Sequence, residues 1–351
     1  MSAAVQVVSI AACLCVPVLG RAQTVVLHPD AACDECIVVW TPVDTFGGAT
    51  GDPVSPGSVV DAIRWTDGTV WFSSPFIGAE VWEFTATGQL RRVARAGAGP
   101  GEYGSSPFFA RVDMAVAAID PGQGRLSLYT TGKGFGTSLR LQVRPFDVAY
   151  VGDGSFVVSG WIHSDSGLYG LHIVAGDGAV STMFAPITAA PAGPLAGARR
   201  LAVSPQATLW AATVTGGVVE EWRLDGHLLR RFLLDVPELL RDAPMRVDFT
   251  SEPPPGQITD LEVDDAGMVW IYAAVPDHSF RPGPLQQPLR PESIYDTAVW
   301  VLEPVGQRIV ARGRFDLLVR PLDSGSAYTT IETEAGDRRL VTGAVRARDR
   351  R

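Results

Sequence analysis

The stretch Val81-Trp-Glu-Phe-Thr-Ala-Thr-Gly-Gln89 decides the fold, because the chain repeats it. It recurs at 299–307 as Val-Trp-Val-Leu-Glu-Pro-Val-Gly-Gln and, in a looser form, at 219–227 as Val-Glu-Glu-Trp-Arg-Leu-Asp-Gly-His. Each copy is an apolar run that leads into a glycine, which is typical of a strand followed by a tight turn. Repetition at this scale indicates that one small structural unit is used several times.

A second repeated pattern consists of an aspartate, six residues, a glycine and an apolar run. It begins at Asp61, Asp147 and Asp260. A degenerate copy begins at Arg200, and a further copy with a longer turn begins at Asp113. Each copy predicts a β-hairpin.

Together the two patterns describe a unit of four antiparallel strands, which is the blade of a β-propeller. Full units are expected at about 58–103, 110–146, 147–186, 198–236 and 258–316, with a partial unit at 319–345. Thr24–His28 and Cys36–Thr41 are available to complete the partial unit. The sequence therefore predicts an all-β protein: one six-bladed β-propeller domain over residues 23–351, closed by pairing of its N- and C-terminal strands.

Composition favours a folded protein without a nucleic-acid partner. Of the 351 residues, 46% are hydrophobic and 19% charged, and the net charge is -9. An acidic chain argues against a basic binding face for nucleic acid. Outside the N-terminus no apolar run reaches 18 residues, so the mature chain is expected to have no membrane span. A monomer is expected.

The N-terminus has the features of a signal peptide over residues 1–22. Residues 3–19 are almost all apolar, and Gly20-Arg-Ala22 places small residues at the cleavage site. A secreted or periplasmic location follows. A lipoprotein attached at Cys13 and an uncut N-terminal anchor remain open alternatives.

The mature chain keeps two cysteines, Cys33 and Cys36, spaced as Cys-x-x-Cys. In an oxidising compartment such a pair usually closes as a local disulfide. A redox motif would need a helix after the pair, whereas Ile-Val-Val follows. A zinc site would need a second pair of ligands. A disulfide is therefore predicted.

Two stretches resemble a known group of proteins. Residues 260–271, Asp-Leu-Glu-Val-Asp-Asp-Ala-Gly-Met-Val-Trp-Ile, resemble an NHL-type repeat, and Gly97-Ala-Gly-Pro-Gly-Glu-Tyr103 resembles the GxGPGE(F/Y) motif of secreted bacterial six-bladed β-propellers. The resemblance implies fold and export. A phosphate cradle at this loop would need a lysine or a following helix, so Glu102 is instead expected to bind the loop's own amides.

The aspartate series is the candidate site. Equivalent positions in a propeller converge near its axis, so Asp61, Asp113, Asp147 and Asp260 are expected there, with Arg200 as a counter-charge. Such a ring could hold calcium or attract a cationic ligand. The alternative, which we adopt as the expectation, is that each aspartate caps the turn of its own unit. On that interpretation no metal or other cofactor is needed.

No catalytic signature accompanies this site. The sequence has neither a GxSxG nor an SxxK motif. Propeller lactonases of the gluconolactonase type use glutamate, asparagine and aspartate to hold a metal, and this chain has no asparagine. The expected function is a non-catalytic module that binds a small ligand or an envelope or secreted protein. The alternative is a metal-dependent hydrolase or lactonase with its site on the axis.

Overall fold

A computed structural model of the protein describes residues 23–29, 36–47, 59, 61–74, 78–130, 132–164, 167–187, 197–239, 252–283, 293–333 and 336–349. These residues are organised as strands numbered β1 to β25 in chain order, beginning with β1 (Thr24–Leu27) and β2 (Cys36–Phe46). No helix among them could span a membrane. The expected signal peptide, residues 1–22, lies outside the described residues.

The first three units are separate four-stranded antiparallel sheets whose strands follow chain order. Unit 1 contains β3 (Asp61–Arg64), β4 (Val70–Ser73), β5 (Val81–Phe84) and β6 (Leu90–Ala94). Unit 2 contains β7 (Phe108–Val112), β8 (Ala115–Asp120), β9 (Arg125–Tyr129) and β10 (Phe135–Arg140). Unit 3 contains β11 (Arg144–Gly152), β12 (Ser155–Ser164), β13 (Gly167–Val174) and β14 (Val180–Pro186).

Twelve of the remaining thirteen strands form three further groups of four. Unit 4 contains β15 (Arg199–Val203), β16 (Leu209–Thr213), β17 (Val218–Trp222) and β18 (Leu228–Leu234). Unit 5 contains β19 (Gln257–Val263), β20 (Val269–Pro276), β21 (Tyr295–Glu303) and β22 (Arg308–Phe315). Unit 6 contains β23 (Arg320–Asp323), β24 (Ser326–Glu332), β25 (Arg338–Asp349) and β2.

The two ends of the described chain meet in unit 6. β2 pairs with β25 in antiparallel fashion from Cys36 opposite Asp349 to Phe46 opposite Leu340. A single parallel pair, Ile37 with Arg312, joins this unit to unit 5. The N-terminal segment therefore supplies the fourth strand that β23, β24 and β25 lack.

The other N-terminal strand is not where the sequence suggested. β1 pairs in parallel with β18 at the outer edge of unit 4, from Thr24 opposite Arg231 to Leu27 opposite Leu234. The expectation that Thr24–His28 would help to complete the last unit was wrong. Unit 6 needs only one extra strand, and β2 provides it, so β1 pairs with the open edge of β18 instead.

The hydrophobic core lies between neighbouring units. In unit 1 all four residues of β4 are buried. Side chains alternate between the two faces of a strand, so both faces of β4 are covered. Trp71 packs with residues of unit 2, while Phe72 packs on the other face with Leu322 and Tyr328 of unit 6. Strands covered on both faces explain why the repeated stretches read as continuous apolar runs.

The first strands of the units contact one another in cyclic order. β3 contacts β7, β7 contacts β11, β11 contacts β15, β15 contacts β19, β19 contacts β23, and β23 contacts β3. Among the described strands this order places the six first strands around one axis. A closed ring of six blades stays our prediction for the whole chain.

The loop with the GxGPGE(F/Y) motif connects unit 1 to unit 2. Oε2 of Glu102 accepts a hydrogen bond of 2.8 Å from the N–H of Gly99, as the sequence predicted. A Cβ at Gly97 would collide with the Glu102 carboxylate. Arg125 and Gln123 of unit 2 donate to the loop carbonyls of Ala98 and Gly97. The motif thus connects units 1 and 2 through hydrogen bonds and has a structural role.

Candidate functional site

The first strands of all six units line a central cavity of about 600 Å³. Each unit contributes one residue to a ring around this cavity, which we call the axial ring. The axial ring consists of Asp61, Phe108, Asp147, Arg200, Asp260 and Arg320. The structure therefore brings together Asp61, Asp147, Arg200 and Asp260 of the residues that the sequence selected.

Two of the aspartates join neighbouring units through the backbone. Oδ1 of Asp61 accepts from the N–H of Ala62 at 2.9 Å, and Oδ2 accepts from the N–H of Phe109 in unit 2 at 2.6 Å. Asp147 repeats this geometry with Val148 and with Leu201 of unit 4, both at 2.9 Å. The two carboxylates thus tie unit 1 to unit 2 and unit 3 to unit 4.

These same bonds identify the alternate members of the axial ring. Leu201, whose N–H donates to Oδ2 of Asp147, directly follows Arg200. Phe109 directly follows Phe108 in the same way, so Phe108 is the counterpart of Arg200 in unit 2. Arg320 begins β23 of unit 6 and lines the same cavity.

Asp260 differs from the other two aspartates. Its Oδ1 accepts from the N–H of Leu261 at 2.9 Å. The residue that follows Arg320 is Pro321, which has no N–H to donate. Among the described residues no hydrogen bond reaches Oδ2 of Asp260, so this oxygen is open to the cavity.

Arg200 supplies a counter-charge to Asp147 and Asp260. Its guanidinium lies over the ring of Phe146, with its central carbon 4.8 Å from the ring centroid. Its charge lowers the pKa of Asp147 and of Asp260. Nε of Arg200 is buried and, within the described part of the chain, donates no hydrogen bond.

Burial nevertheless dominates the protonation of the ring. It raises the pKa of Asp61 to about 7, with a further upward contribution from the charge of Asp260. It also raises the pKa of Asp147 to about 7, against the opposing charge of Arg200. The carboxylates are half-buried because their oxygens face the cavity, while protein surrounds them on their other sides.

Glu262 is a functional candidate that the sequence reasoning missed. It lies two residues after Asp260 on β19 and lines the same cavity. Burial raises its pKa to about 8, and the charges of Asp260, Asp323 and Asp264 add to the increase. The signal was present in the sequence, since residues two apart on a strand share a face.

Asp113 does not belong to the ring, and its inclusion was wrong. It lies with Met114 in the two-residue turn between β7 and β8, where Val112 pairs with Ala115. Its φ of 49° fits a tight hairpin turn. The short turn shifts the alignment, so that Phe108 occupies the ring position of unit 2.

The expectation that the axial aspartates cap turns was also wrong about their partners. Other aspartates cap the turns: Asp67 binds the N–H of Thr69, and Asp264 binds those of Ala266 and Met268. The axial aspartates bind the next residue and, for Asp61 and Asp147, the neighbouring unit. Their structural role connects units rather than closing a hairpin.

The ring does not match a compact metal centre. Among the described residues, the ligand atoms of Asp277, His278 and Asp296 form a group within 4.8 Å of one another, and the axial aspartates form none. Arg314 already pairs with Asp296, with 2.7 Å between Nε and Oδ2. The expectation that no cofactor is needed, and its alternative of calcium at the axis, both stay untested. The lactonase pattern does not fit, because the chain has no asparagine and arginines occupy two ring positions.

Four-stranded units that lend their first strands to a central cavity define a β-propeller. No protein-family model matches the chain, and no curated protein matches it in sequence. The chain is similar in structure to a member of the DUF4221 family from Bacteroides vulgatus, with 9% identity and a TM-score of 0.57 over 89% of this chain and 99% of that one. It is also similar to a protein of unknown function from Bacteroides thetaiotaomicron, with 11% identity and a TM-score of 0.52 over 89% and 76% of the two chains. At these identities the similarity shows the fold alone.

Proposed function

We propose that the protein is an exported, non-catalytic, six-bladed β-propeller that binds a small ligand in its central cavity. The cavity of about 600 Å³ carries this proposal. Small-molecule sites commonly measure about 300–1,000 Å³ and combine an apolar lining with a few polar groups. Phe108, Phe146 and Tyr150 supply apolar surface here, beside the charged members of the axial ring.

Polar groups that the fold leaves open support a binding role. Oδ2 of Asp260 lacks the cross-unit bond that its counterparts make, and Nε of Arg200 is buried without an acceptor among the described residues. A buried polar group without a partner destabilises the folded state by about 1–3 kcal/mol. A ligand that hydrogen-bonds to these groups would recover that free energy.

A thermal-shift screen of small polar and amphiphilic molecules tests the proposal. A ligand that binds only the folded state raises the melting temperature. Replacing Ala202, which lines the cavity, by phenylalanine should abolish the shift by filling the space. Ala347→Phe, at an exposed position on β25, is the matched control and should keep it. Hits that survive Ala202→Phe would contradict binding in the cavity.

The perturbed carboxyl groups favour a second candidate, a hydrolase that uses acid–base chemistry. Carboxyl groups with a pKa near 7 exchange protons readily at neutral pH, and such groups cluster at active sites. Asp61, Asp147 and Glu262 meet this condition. Purified protein that hydrolyses lactones or esters, and loses that activity in Glu262→Gln while still folding, would favour this candidate over the first.

Removal of residues 1–22 would release a secreted or periplasmic monomer with NHL-like repeats. Cys36 begins β2, whereas Cys33 lies outside the described residues, so their disulfide stays a prediction. An envelope or secreted protein is the alternative partner, and a pull-down from the culture envelope fraction would distinguish it from a small ligand.

A further inference from the structure

We propose that the ligand of the central cavity is an organic cation: a protonated amine or a guanidinium attached to an apolar body. This inference rests on the proposed binding function and names the ligand class. Five acidic side chains line the cavity, and three arginines accompany them. The acids are Asp61, Asp147, Asp260, Glu262 and Asp323, and the arginines are Arg111, Arg200 and Arg320. With every group ionised, the cavity carries an excess of negative charge.

The excess is concentrated on β19. Arg200 and Arg320 both act on Asp260 through their charges, whereas the groups that act on Glu262 are the acids Asp260, Asp264 and Asp323. Burial and the charges of Glu262 and Asp260 raise the pKa of Tyr272 on β20. Glu262 and the open Oδ2 of Asp260 therefore form an acidic wall.

The surrounding acids already form ion pairs or hydrogen bonds with other groups of the protein. Asp323 lies 3.8 Å from Arg64, and Asp264 accepts from the indole N–H of Trp270 at 2.9 Å while it caps its turn. In Asp61 and in Asp147, both carboxylate oxygens accept hydrogen bonds from backbone N–H groups. Asp260 and Glu262 therefore have the carboxylate oxygens that can accept hydrogen bonds from a ligand.

The spacing and shape of the site favour an organic cation over a bare metal ion. Among the described residues the axial carboxylates do not form a group of three within 4.8 Å, as a single ion would require. An ammonium or guanidinium group has several N–H donors and can reach separated acceptors. In the cyclic order of units, unit 2 lies opposite unit 5, so Phe108 faces the acidic wall across the axis and can pack against an apolar body.

Binding of a cation at this wall should release protons. Burial raises the pKa of Asp61 and Asp147 to about 7 and of Glu262 to about 8, so part of the excess negative charge is neutralised by protonation at neutral pH. A cation favours the ionised carboxylates and competes with those protons. The affinity for a cation should therefore increase as the pH rises, until Glu262 is fully ionised.

Three probes of matched shape test the inference by calorimetry: 2-phenylethylamine, 2-phenylethanol and phenylacetate. The amine stays protonated up to about pH 8.5, because alkyl amines have a pKa near 10. We expect the amine to bind at least tenfold more tightly than the alcohol or the acid, and at least tenfold more tightly at pH 8.5 than at pH 6. Calcium chloride alone is the fourth arm and should not bind.

Variants locate the binding. Glu262→Gln and Asp260→Asn keep shape and remove charge, and each should weaken amine binding at least tenfold. Glu262→Gln should also flatten the pH dependence. Asp265→Asn, at an exposed turn position, should leave both unchanged. Circular dichroism confirms that each variant is folded, and the probe series on the unmodified protein does not depend on any variant.

Each other outcome overturns the inference in a distinct way. Tighter binding of phenylacetate would show that the arginines select an anion, and the cavity would remain a binding site. Calcium binding that disappears in Asp260→Asn would replace the organic cation by a metal. Failure of the three organic probes would overturn the inference, and together with an empty screen at the cavity it would reject the proposed function itself.

Discussion

Oδ2 of Asp61 accepts a hydrogen bond of 2.6 Å from the backbone N–H of Phe109, a residue 48 positions further along the chain and in the next unit. The bond joins two first strands beside the axis, where β3 and β7 share no sheet. Asp147 and Leu201 repeat the relationship between units 3 and 4. Units that share no ladder are thus held together partly by side-chain carboxylates.

Removing one of these links should destabilise the protein. Asp61→Ala leaves the N–H of Phe109 without its acceptor, and we expect the free energy of unfolding to fall by about 1–3 kcal/mol. Asp260→Ala is the matched control, since Pro321 stands where the donor would be and no cross-unit bond is lost. Urea unfolding of both variants gives the comparison. A larger loss for Asp260→Ala would contradict the structural role assigned to Asp61.

The raised pKa of Glu262 should make the stability depend on pH in a defined direction. The folded state holds its proton up to about pH 8, whereas the unfolded state releases it near the ordinary value of 4.5. The folded form therefore binds more protons between these values, and its stability falls as the pH rises through them.

Glu262→Gln removes this dependence. Relative to the unmodified protein, the variant should gain about 1–2 kcal/mol between pH 5 and pH 9, because a tenfold change in proton affinity corresponds to about 1.4 kcal/mol and cavity water reduces the effect. Urea unfolding across this range measures the difference. Asp265→Asn should show no such trend. A constant difference between Glu262→Gln and the unmodified protein would contradict the environment described for Glu262.

The repeat of aspartate and glycine was enough to predict most of the site, but not its register in every unit. Asp61, Asp147, Arg200 and Asp260 meet at the axis because equal spacing in the chain gives equal positions in equivalent units. Asp113 does not, because a two-residue turn shortens its hairpin.

Arg320 was missed because Pro321-Leu-Asp-Ser-Gly325 follows it and breaks the pattern. The position of β1 could not be predicted either. Its parallel pairing depends on which outer edge is open in the folded protein, and no residue of Thr24–Leu27 encodes that edge.

The glycine loop between units 1 and 2 should be sensitive to a single methyl group. Gly97→Ala places its Cβ against the Glu102 carboxylate and forces an alanine into a φ of 157°. We expect a lower melting temperature. The double variant Gly97→Ala with Glu102→Ala should recover the part of the loss that is steric. If the double variant is no more stable than Gly97→Ala alone, the clash with Glu102 is not the cause.

The two N-terminal strands should differ in importance. Deleting residues up to 28 removes β1 from the outer edge of unit 4, where a complete four-stranded sheet remains. Deleting residues up to 46 also removes β2 and exposes the edge of β25. The shorter deletion should stay soluble and unfold cooperatively, and the longer one should aggregate. A soluble, cooperative protein from the longer deletion would refute the role given to β2.

Cys33 and Cys36 should be oxidised in protein recovered after export. Replacing both by serine should lower the free energy of unfolding by no more than about 2–3 kcal/mol, since a short loop loses little entropy when it is closed. Mass spectrometry after alkylation of freshly isolated protein reports their state. Two alkylated thiols would show that the pair is reduced.

The pairing of β2 with β25 also delays the completion of unit 6 during synthesis of the chain. Cys36 leaves the ribosome about 310 residues before its partner Asp349. At about 5–20 residues per second, β2 waits roughly 15–60 s for the strand that it must join. Units 1 to 5 can form their hairpins in that interval, because their pairings are local. The final contact has a very high sequence separation, and such contacts form slowly. Nascent chains are therefore most open to proteolysis and aggregation before β25 appears.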